Sequence, residues 1–146
     1  MPSLDLILEE KGRYLHVIAP EATVIEAANV MCHARVGALL VMRSHTLVGI
    51  FSERDVVSRV VLVGLDPKAT CVGDVMTRDV VCVATDVSPD EAMAIITKRR
   101  IRHLPVVEGR RVVGVVSIGD LVHSAIRARE QSIEQLCDYV NGRYPG

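Results

Sequence analysis

The stretch GIFSERDVV at residues 49–57 is repeated 65 positions later as GVVSIGDLV at residues 114–122. We call the shared pattern the GxxSxxD motif: a glycine, two apolar residues, a serine, two variable residues and an aspartate. The similarity extends without a gap, so that Val17–Val57 aligns with Cys82–Val122. Because self-similarity at a fixed spacing is the signature of repeated structure, the chain is predicted to contain an internal duplication.

Each repeat is predicted to contain an early helix. Thr23 precedes VIEAANVM and Ser88 precedes PDEAMAII, and each has a glutamate three residues later, Glu26 or Glu91. This spacing is typical of the capping box, in which the two side chains bond each other's backbone N–H groups. Pro89 adds the residue favoured at the first helical position. Helices are therefore predicted to start just after Thr23 and Ser88.

Short aliphatic runs predict the strands of each repeat. Polar turns, RSHT at residues 43–46 and EGRR at residues 108–111, separate two such runs and indicate a β-hairpin. A further strand is predicted before the first helix, at His16–Ala19 and Val80–Ala84, and a second helix from the motif serine. The order βαββα leaves one sheet face uncovered in so small a unit. The predicted fold class is therefore α/β (α+β), with tandem repeats packed sheet to sheet in pseudo-two-fold symmetry.

The remaining segments complete the predicted domain organisation. Residues 1–13 form an N-terminal segment with a helix at Leu4–Lys11, and residues 67–79 form a linker with a helical turn at Val72–Met76. The repeats then cover residues 14–66 and 80–128, followed by a C-terminal tail at residues 129–146. Spaced apolar residues predict a helix, continuous or broken, from Ile118 to about Asn141. Tails of this kind often carry a partner contact.

Composition excludes several function classes. The 146 residues are 49% hydrophobic, and 17 basic and 18 acidic residues give a net charge of −1, which offers no general attraction for nucleic acid or anionic membranes. One Phe, three Tyr and no Trp leave no stacking platform for nucleic-acid bases. No apolar run approaches the roughly 18 residues of a membrane span, and the N-terminus does not resemble a signal peptide. We therefore expect a cytoplasmic protein without nucleic-acid or membrane partners.

Cysteine and histidine spacing predicts no metal site. Cys32, Cys71, Cys82 and Cys137 lack CxxC spacing and lie beside apolar segments, so buried or inert thiols are expected. The five histidines likewise lack metal-binding spacing. No pairing of a nucleophile with a base is evident either, so an enzyme is not expected.

The GxxSxxD motif has a structural and a functional interpretation. Ser52 and Ser117 are suited to cap helices, with Asp55 and Asp120 at the positive end of the helix dipole. A strand glycine such as Gly114, however, usually marks close approach by another backbone or a ligand. A helix N-terminus also binds anions, and a nearby carboxylate can hold a pair of hydroxyls. Because the whole motif is duplicated, we favour a site for a ribonucleotide, with which capping is compatible.

Tandem βαββα units that each end in GxxSxxD, with LPVV in the second, resemble the CBS-domain pair, or Bateman module, over about residues 14–128. The chain most resembles stand-alone bacterial proteins with two CBS domains. The resemblance implies a homodimer with two adenosine clefts and a non-catalytic, regulatory role in energy sensing. Its ligands would be AMP, ADP, ATP, NADH or S-adenosylmethionine, with no obligatory cofactor, and an unknown protein partner or the oligomer itself would respond. The alternative is a structural interaction module with degenerate clefts.

The resemblance also assigns roles to residues. Asp55 and Asp120 would hold ribose hydroxyls, and Ser52 and Ser117 would lie by the phosphate. Residues expected around adenine are Ile18, Pro20 and Ile50 in the first repeat and Val83, Thr85 and Val115 in the second. Arg102 and His103, just before Leu104, match phosphate-binding positions, and Pro105 and Gly119 are also expected to belong to the site.

The neighbouring basic residues are less alike in the two repeats. Lys98–Arg100 are interpreted as the solvated end of a helix. Arg54 stands where the second repeat has Gly119, and it is either a charge for the first cleft or an exposed residue. Because more basic residues precede the hairpin of the second repeat, its cleft is expected to fill first.

Overall fold

Two three-stranded sheets form the framework of the protein, whose computed structural model describes the backbone of residues 3–140 and the side chains of residues 3–133. The first sheet contains β1 (Val17–Ile18), β2 (Ala38–Arg43) and β3 (Thr46–Ser52). The second contains β4 (Val83–Ala84), β5 (His103–Glu108) and β6 (Arg111–Ser117). In both sheets the first strand is parallel to the second, and the second is antiparallel to the third.

The two hairpins have the same register. Ala38 lies opposite Ser52 in the first hairpin, and His103 lies opposite Ser117 in the second. The register also shifts at corresponding places, after Val41 and after Val106. The predicted turns and the βαββα order of each repeat are therefore confirmed, although β1 and β4 are shorter than predicted.

The helices are α1 (Leu4–Lys11), α2 (Val24–Ala34), α3 (Glu53–Asp55, continuing as π-helix to Val61), α4 (Val72–Val75), α5 (Pro89–Arg99) and α6 (Ile118–Val140). The predicted helices at the N-terminus and in the linker are confirmed, and α6 is continuous. Asn141, where the predicted helix ended, and residues 142–146 of the tail lie outside the described residues. Among the helices that the structure describes, none is both long enough and apolar enough to span a membrane.

The two early helices are capped by the predicted residues. At α2, Oγ1 of Thr23 accepts from the Glu26 N–H over 3.3 Å, and Oε2 of Glu26 accepts from the Thr23 N–H over 3.2 Å. At α5, Oγ of Ser88 accepts from the Glu91 N–H over 3.2 Å. The capping box is therefore complete at α2, whereas α5 combines the Ser88 cap with Pro89 at its first turn.

Each repeat has its own core, completed by the segment that precedes the other repeat. Leu4 and Leu8 of α1 are fully buried in the core of the second repeat. Val72, Val75 and Met76 of the linker are buried in the core of the first. These two connecting segments, α1 before the first repeat and the linker before the second, therefore join the repeats into one unit.

The glycines of the GxxSxxD motifs are covered by these same segments. A β-carbon at Gly49 would lie 2.5 Å from Sδ of Met76, and one at Gly114 would lie 2.6 Å from Cδ2 of Leu8. The close approach predicted at these glycines is therefore made by the chain itself and not by a ligand.

The cysteines are less buried than expected. Cys32 and Cys82 are exposed, and Cys71 is half-buried. On α2, Cys32 directly follows the buried Met31, and the helical rotation of about 100° per residue turns it out of the core. Burial is therefore not observed for Cys32 and Cys82, the alternative of inert thiols stays a prediction, and the side chain of Cys137 lies outside the described residues.

Candidate ligand-binding cleft

A cleft between the two repeats contains two adjoining cavities of about 350 and 520 Å³. We call the smaller one the Asp120 cavity and the larger one the Arg102 cavity, after a residue that lines each. Four residues line both cavities: Gly37, Ile50, His103 and Ser117. Because these walls are shared, the two cavities lie next to each other.

Each cavity brings a motif of one repeat together with the helix–strand junction of the other, and the Arg102 cavity also contains Ser117, Ile118 and Gly119 of the second motif. The Asp120 cavity brings Ser117 and Asp120 together with residues 35–40 of the first repeat. The Arg102 cavity brings Ser52 together with residues 100–103 of the second. The motif serine and the start of β2 or β5 face each other across each hairpin, so they lie at the same end of a sheet.

The structure distributes the predicted residues of the second repeat over both cavities. The sequence placed Arg102 and His103 in one cleft with Asp120, and Arg102 lines the adjoining cavity, together with Ser52 and with Ser117 and Gly119 of the second motif. Of Arg102 and His103, only His103 reaches the Asp120 cavity as well. Packing of the two repeats sets each motif beside the junction of the opposite repeat, while each hairpin keeps the motif beside the junction of its own repeat, where the Ile118 N–H donates to the Arg102 carbonyl over 2.9 Å.

Asp120 lies at the wall of its cavity and is held as a carboxylate. Its Oδ2 accepts from the Ser117 N–H over 2.8 Å, and Oγ of Ser117 accepts from the Asp120 N–H over 3.1 Å. Nζ of Lys11 donates to the same Oδ2 over 2.6 Å and to the Val115 carbonyl over 2.8 Å. Partial burial alone would raise the pKa of Asp120, but the hydrogen bonds from Lys11 and Ser117 outweigh it and lower the pKa.

Asp55 occupies the equivalent position in the first motif but has different surroundings. It is buried, and its Oδ2 accepts from the N–H and the Oγ of Ser52 over 3.0 and 3.2 Å. Its Oδ1 accepts from the hydroxyl of Thr77 over 3.3 Å and lies 3.7 Å from Nε of Arg59. Asp55 lines neither cavity of the cleft. The structure therefore shows it as a cap that also holds the linker.

Cationic side chains lie at both ends of the cleft. Arg54, Arg100 and Arg102 line the larger cavity, and Arg54 donates to the Arg100 carbonyl over 3.4 Å. Lys11 and Arg35 line the smaller one. Arg54, whose role the sequence left open, is thus placed at the cleft. The cleft is suited to an anionic ligand, because cations bind phosphate through charge-assisted hydrogen bonds.

His103 lies where the two cavities meet. Burial lowers the pKa of its imidazole, and the nearby Lys11 and Arg102 lower it further, against the opposing effects of Glu53 and Asp120. The lowered pKa favours the neutral imidazole at pH 7, which is suited to hydrogen bonding.

The other predicted site residues are divided between the cleft and the protein interior. Ile50, Val115 and Gly119 line the cleft. Outside it, Ile18 packs on the first core, Val83 lies in the second core, and Pro105 is buried in β5. Pro20 lines a separate cavity, and the carbonyl of Thr85 accepts from the Asp5 N–H. The short first strands β1 and β4 thus contribute to packing at these positions.

Several residues of the cleft were missed by the sequence analysis. They are Lys11, Tyr14, His16, Arg35 and Arg100. The 65-residue repeat contains a signal for two of them, since Arg35 and Arg100 align and both end a helix in the left-handed conformation. Arg100 was interpreted as part of a solvated helix end. The sequence contains no comparable signal for Lys11, which lies outside the duplicated region.

Comparison with known proteins identifies the family. The family model of the CBS domain matches residues 11–62 and 72–127. The chain belongs to the CBS-domain family. The two CBS domains are 35% identical over 127 residues to the mitochondrial CBS domain-containing protein CBSX3 of Arabidopsis thaliana, covering 84% of this chain and 62% of that protein. The chain thus spans less than two thirds of the length of this relative.

Bacterial CBS proteins are similar over more of their length. The CBS domain-containing protein YhcV of Bacillus subtilis is 34% identical over 104 residues, which cover 71% of this chain and 74% of YhcV. The structure of a protein with CBS domains from Burkholderia ambifaria matches with a TM-score of 0.84 and 39% identity, covering 86% of this chain and 95% of that one. The resemblance to the CBS-domain pair is thereby confirmed, as is the fold class that the sequence pattern predicted.

Proposed function

We propose that this CBS pair is a non-catalytic regulatory module that binds an adenine nucleotide between its repeats. The observation that carries the proposal is the ionised carboxylate of Asp120 at the wall of a cavity with apolar residues and cations. Binding would change a contact with a partner protein or within a homodimer. We place the protein in the cytoplasm.

The cleft offers a complementary group for each part of a nucleotide. Asp120 accepts hydrogen bonds from vicinal ribose hydroxyls, while Leu40, Ile50 and Val115 provide apolar contacts for a base. Arg35 in the Asp120 cavity and Arg102 in the Arg102 cavity provide cations for phosphate oxygens, and His103 lines both cavities. Gly119 in the first turn of α6 also lines the cleft, and a helix N-terminus favours an anion. A cavity of about 350 Å³ is within the usual range for sites that bind small ligands.

The ligands considered are AMP, ADP, ATP, NADH and S-adenosylmethionine. They share the adenosine that the Asp120 cavity would hold, and they differ in the charge that extends from it. Because the Arg102 cavity adjoins the Asp120 cavity, the cleft has room and charge for more than one phosphate. ATP and NADH are therefore candidate ligands alongside AMP.

One observation favours the alternative, a structural interaction module with non-binding clefts. Both motif aspartates already have partners within the chain, Lys11 for Asp120 and Thr77 for Asp55. In that case the carboxylates would serve only to join the connecting segments to the repeats.

Thermal unfolding with each nucleotide distinguishes the two functions. A ligand at 100 times its dissociation constant adds about 2.7 kcal/mol to the free energy of unfolding. We expect stabilisation of the wild-type protein and of Asp90→Asn, an exposed control on α5, but not of Asp120→Asn. The asparagine retains an acceptor oxygen for the Ser117 N–H, so the cap of α6 is preserved. Absence of stabilisation by all five ligands would support the alternative.

A further inference from the structure

Lys11 and Thr77 make equivalent contacts in the two repeats. In the first, the Thr77 N–H donates to the Ile50 carbonyl over 2.9 Å, and the Thr77 hydroxyl donates to Asp55. Val115 and Asp120 are the residues that align with Ile50 and Asp55. In the second repeat, Nζ of Lys11 donates to both of them. One ammonium group thus replaces a backbone N–H and a hydroxyl.

The two sets of contacts differ in how readily they can be broken. Thr77 also accepts from the Ile50 N–H over 2.9 Å, so it is held by a reciprocal pair of backbone hydrogen bonds. Its neighbour Met76 is buried in the first core. The Thr77 hydroxyl can rotate away from Asp55, but releasing the Ile50 carbonyl requires movement of the main chain. The Asp55 carboxylate is also buried and lines neither cavity of the cleft.

Lys11, in contrast, can leave by rotation of its side chain. It is the last residue of α1, its side chain is 37% exposed, and its ammonium group can be solvated by water once it is released. Leu4 and Leu8 hold the rest of α1 in place, so the helix need not move. An ion pair this exposed contributes little to stability, and a ligand can replace it at small cost.

We propose that Lys11 is an internal competitor for the ligand at Asp120, and that one nucleotide binds per chain because Asp55 is held by Thr77. The proposal rests on the proposed function. It goes further by naming the second motif as the one that binds the ligand and Lys11 as the group that the ligand displaces. Vicinal hydroxyls take over Oδ2 of Asp120 and the Val115 carbonyl from the ammonium group. Asp55 remains bonded to the linker throughout.

Calorimetric titration with AMP tests the competition. We expect Lys11→Met to bind AMP about five-fold more tightly than the wild type, as replacement of an exposed ion pair predicts. Lys11→Arg keeps a cation and should bind like the wild type, as should Lys68→Met, an exposed control in the linker. Unchanged or weaker binding by Lys11→Met would overturn the proposal, because Lys11 would then be neutral or a ligand-binding residue.

The number of sites tests the second part of the proposal. One AMP per chain, abolished by Asp120→Asn, is expected, and two per chain would overturn the assignment of Asp55 to the linker. If no variant binds any of the five nucleotides, the proposed function itself fails. If the wild type binds and Lys11→Met is no tighter, only the competition fails.

A measurement without ligand shows whether Lys11 lies at the cavity in solution. Because Lys11 lowers the pKa of His103, Lys11→Met should raise that pKa in an NMR titration of the free protein. An unchanged His103 pKa would contradict the position of Lys11 on which the proposal depends.

Discussion

Leu8 of α1 fills the space that Gly114 leaves above strand β6. Leu8 is fully buried, and a β-carbon at residue 114 would lie 2.6 Å from its Cδ2 atom. Met76 has the same relationship to Gly49 in the first repeat. A glycine is therefore needed at the same place in both repeats, because a connecting segment packs directly on the strand.

Gly114→Ala should destabilise the protein by about 1–3 kcal/mol, since overpacking forces neighbouring side chains out of position. Gly49→Ala should cost more, because its β-carbon would also lie 2.8 Å from the backbone oxygen of Thr77, which cannot rotate away. Urea unfolding measures both losses. In the double variant with Leu8→Ala, part of the cost of Gly114→Ala should be recovered, and strictly additive losses would contradict the contact.

Asp55→Asn should reduce stability more than Asp120→Asn does. The asparagine at residue 55 places an amide group among donors from Ser52, Thr77 and Arg59, which leaves a buried donor unmatched at a cost of about 1–3 kcal/mol. Asp120 is more exposed, so water can compensate for the change there. The free energy of unfolding in urea provides the measurement. Equal losses in the two variants would show that the aspartates have equivalent surroundings.

The ion pair between Lys11 and Asp120 should stabilise the protein only at pH values at which the Asp120 carboxyl is ionised. The pKa of Asp120 is lower in the folded than in the unfolded chain, so the folded state binds this proton less readily. The stabilisation from Asp120 is therefore complete at pH values above the pKa of the unfolded chain, about 3.9. It is lost as the pH falls through the lower pKa of the folded chain.

Comparison of the wild type with Lys11→Met from pH 7 to pH 3 tests this dependence. The wild type should be more stable at pH 7 by less than about 1 kcal/mol, because the pair is partly exposed. The difference should shrink towards pH 3 as Asp120 is protonated. A difference that is independent of pH would attribute the effect of Lys11 to packing alone.

His103 should make stability fall as the solution is acidified below neutrality. Its pKa is lower in the folded than in the unfolded chain, so the unfolded state binds the proton first. Stability is thus lost as the pH falls from the His103 pKa of the unfolded chain, about 6.5, to the lower pKa of the folded chain. His103→Gln should show a smaller loss in urea unfolding between pH 7.5 and 5.5, a range of about two units around that value. His45→Gln, at the exposed hairpin turn, should behave like the wild type.

The local structure of this protein was predictable because local bonds depend on nearby residues. Thr23 with Glu26, Ser88 with Pro89, and the polar turns at residues 43–46 and 108–111 predict their helices and hairpins from neighbours a few positions away. The 65-residue repeat extends each assignment to the other half of the chain. Capping of α6 by Ser117 and its bond with Asp120 followed from the same three-residue spacing.

The composition of the cleft depended on contacts between distant segments. Lys11 and Asp120 are 109 residues apart, and nothing in the repeat marks Lys11 as a partner. Asp55 and Asp120 are identical in sequence pattern, but a threonine hydroxyl of the linker contacts one and a lysine ammonium group of α1 contacts the other. Packing of the two repeats also sets each motif beside the opposite junction. Spacing along the chain encodes bonds within a turn or hairpin, whereas the neighbour of a motif across the cleft depends on how whole segments pack together.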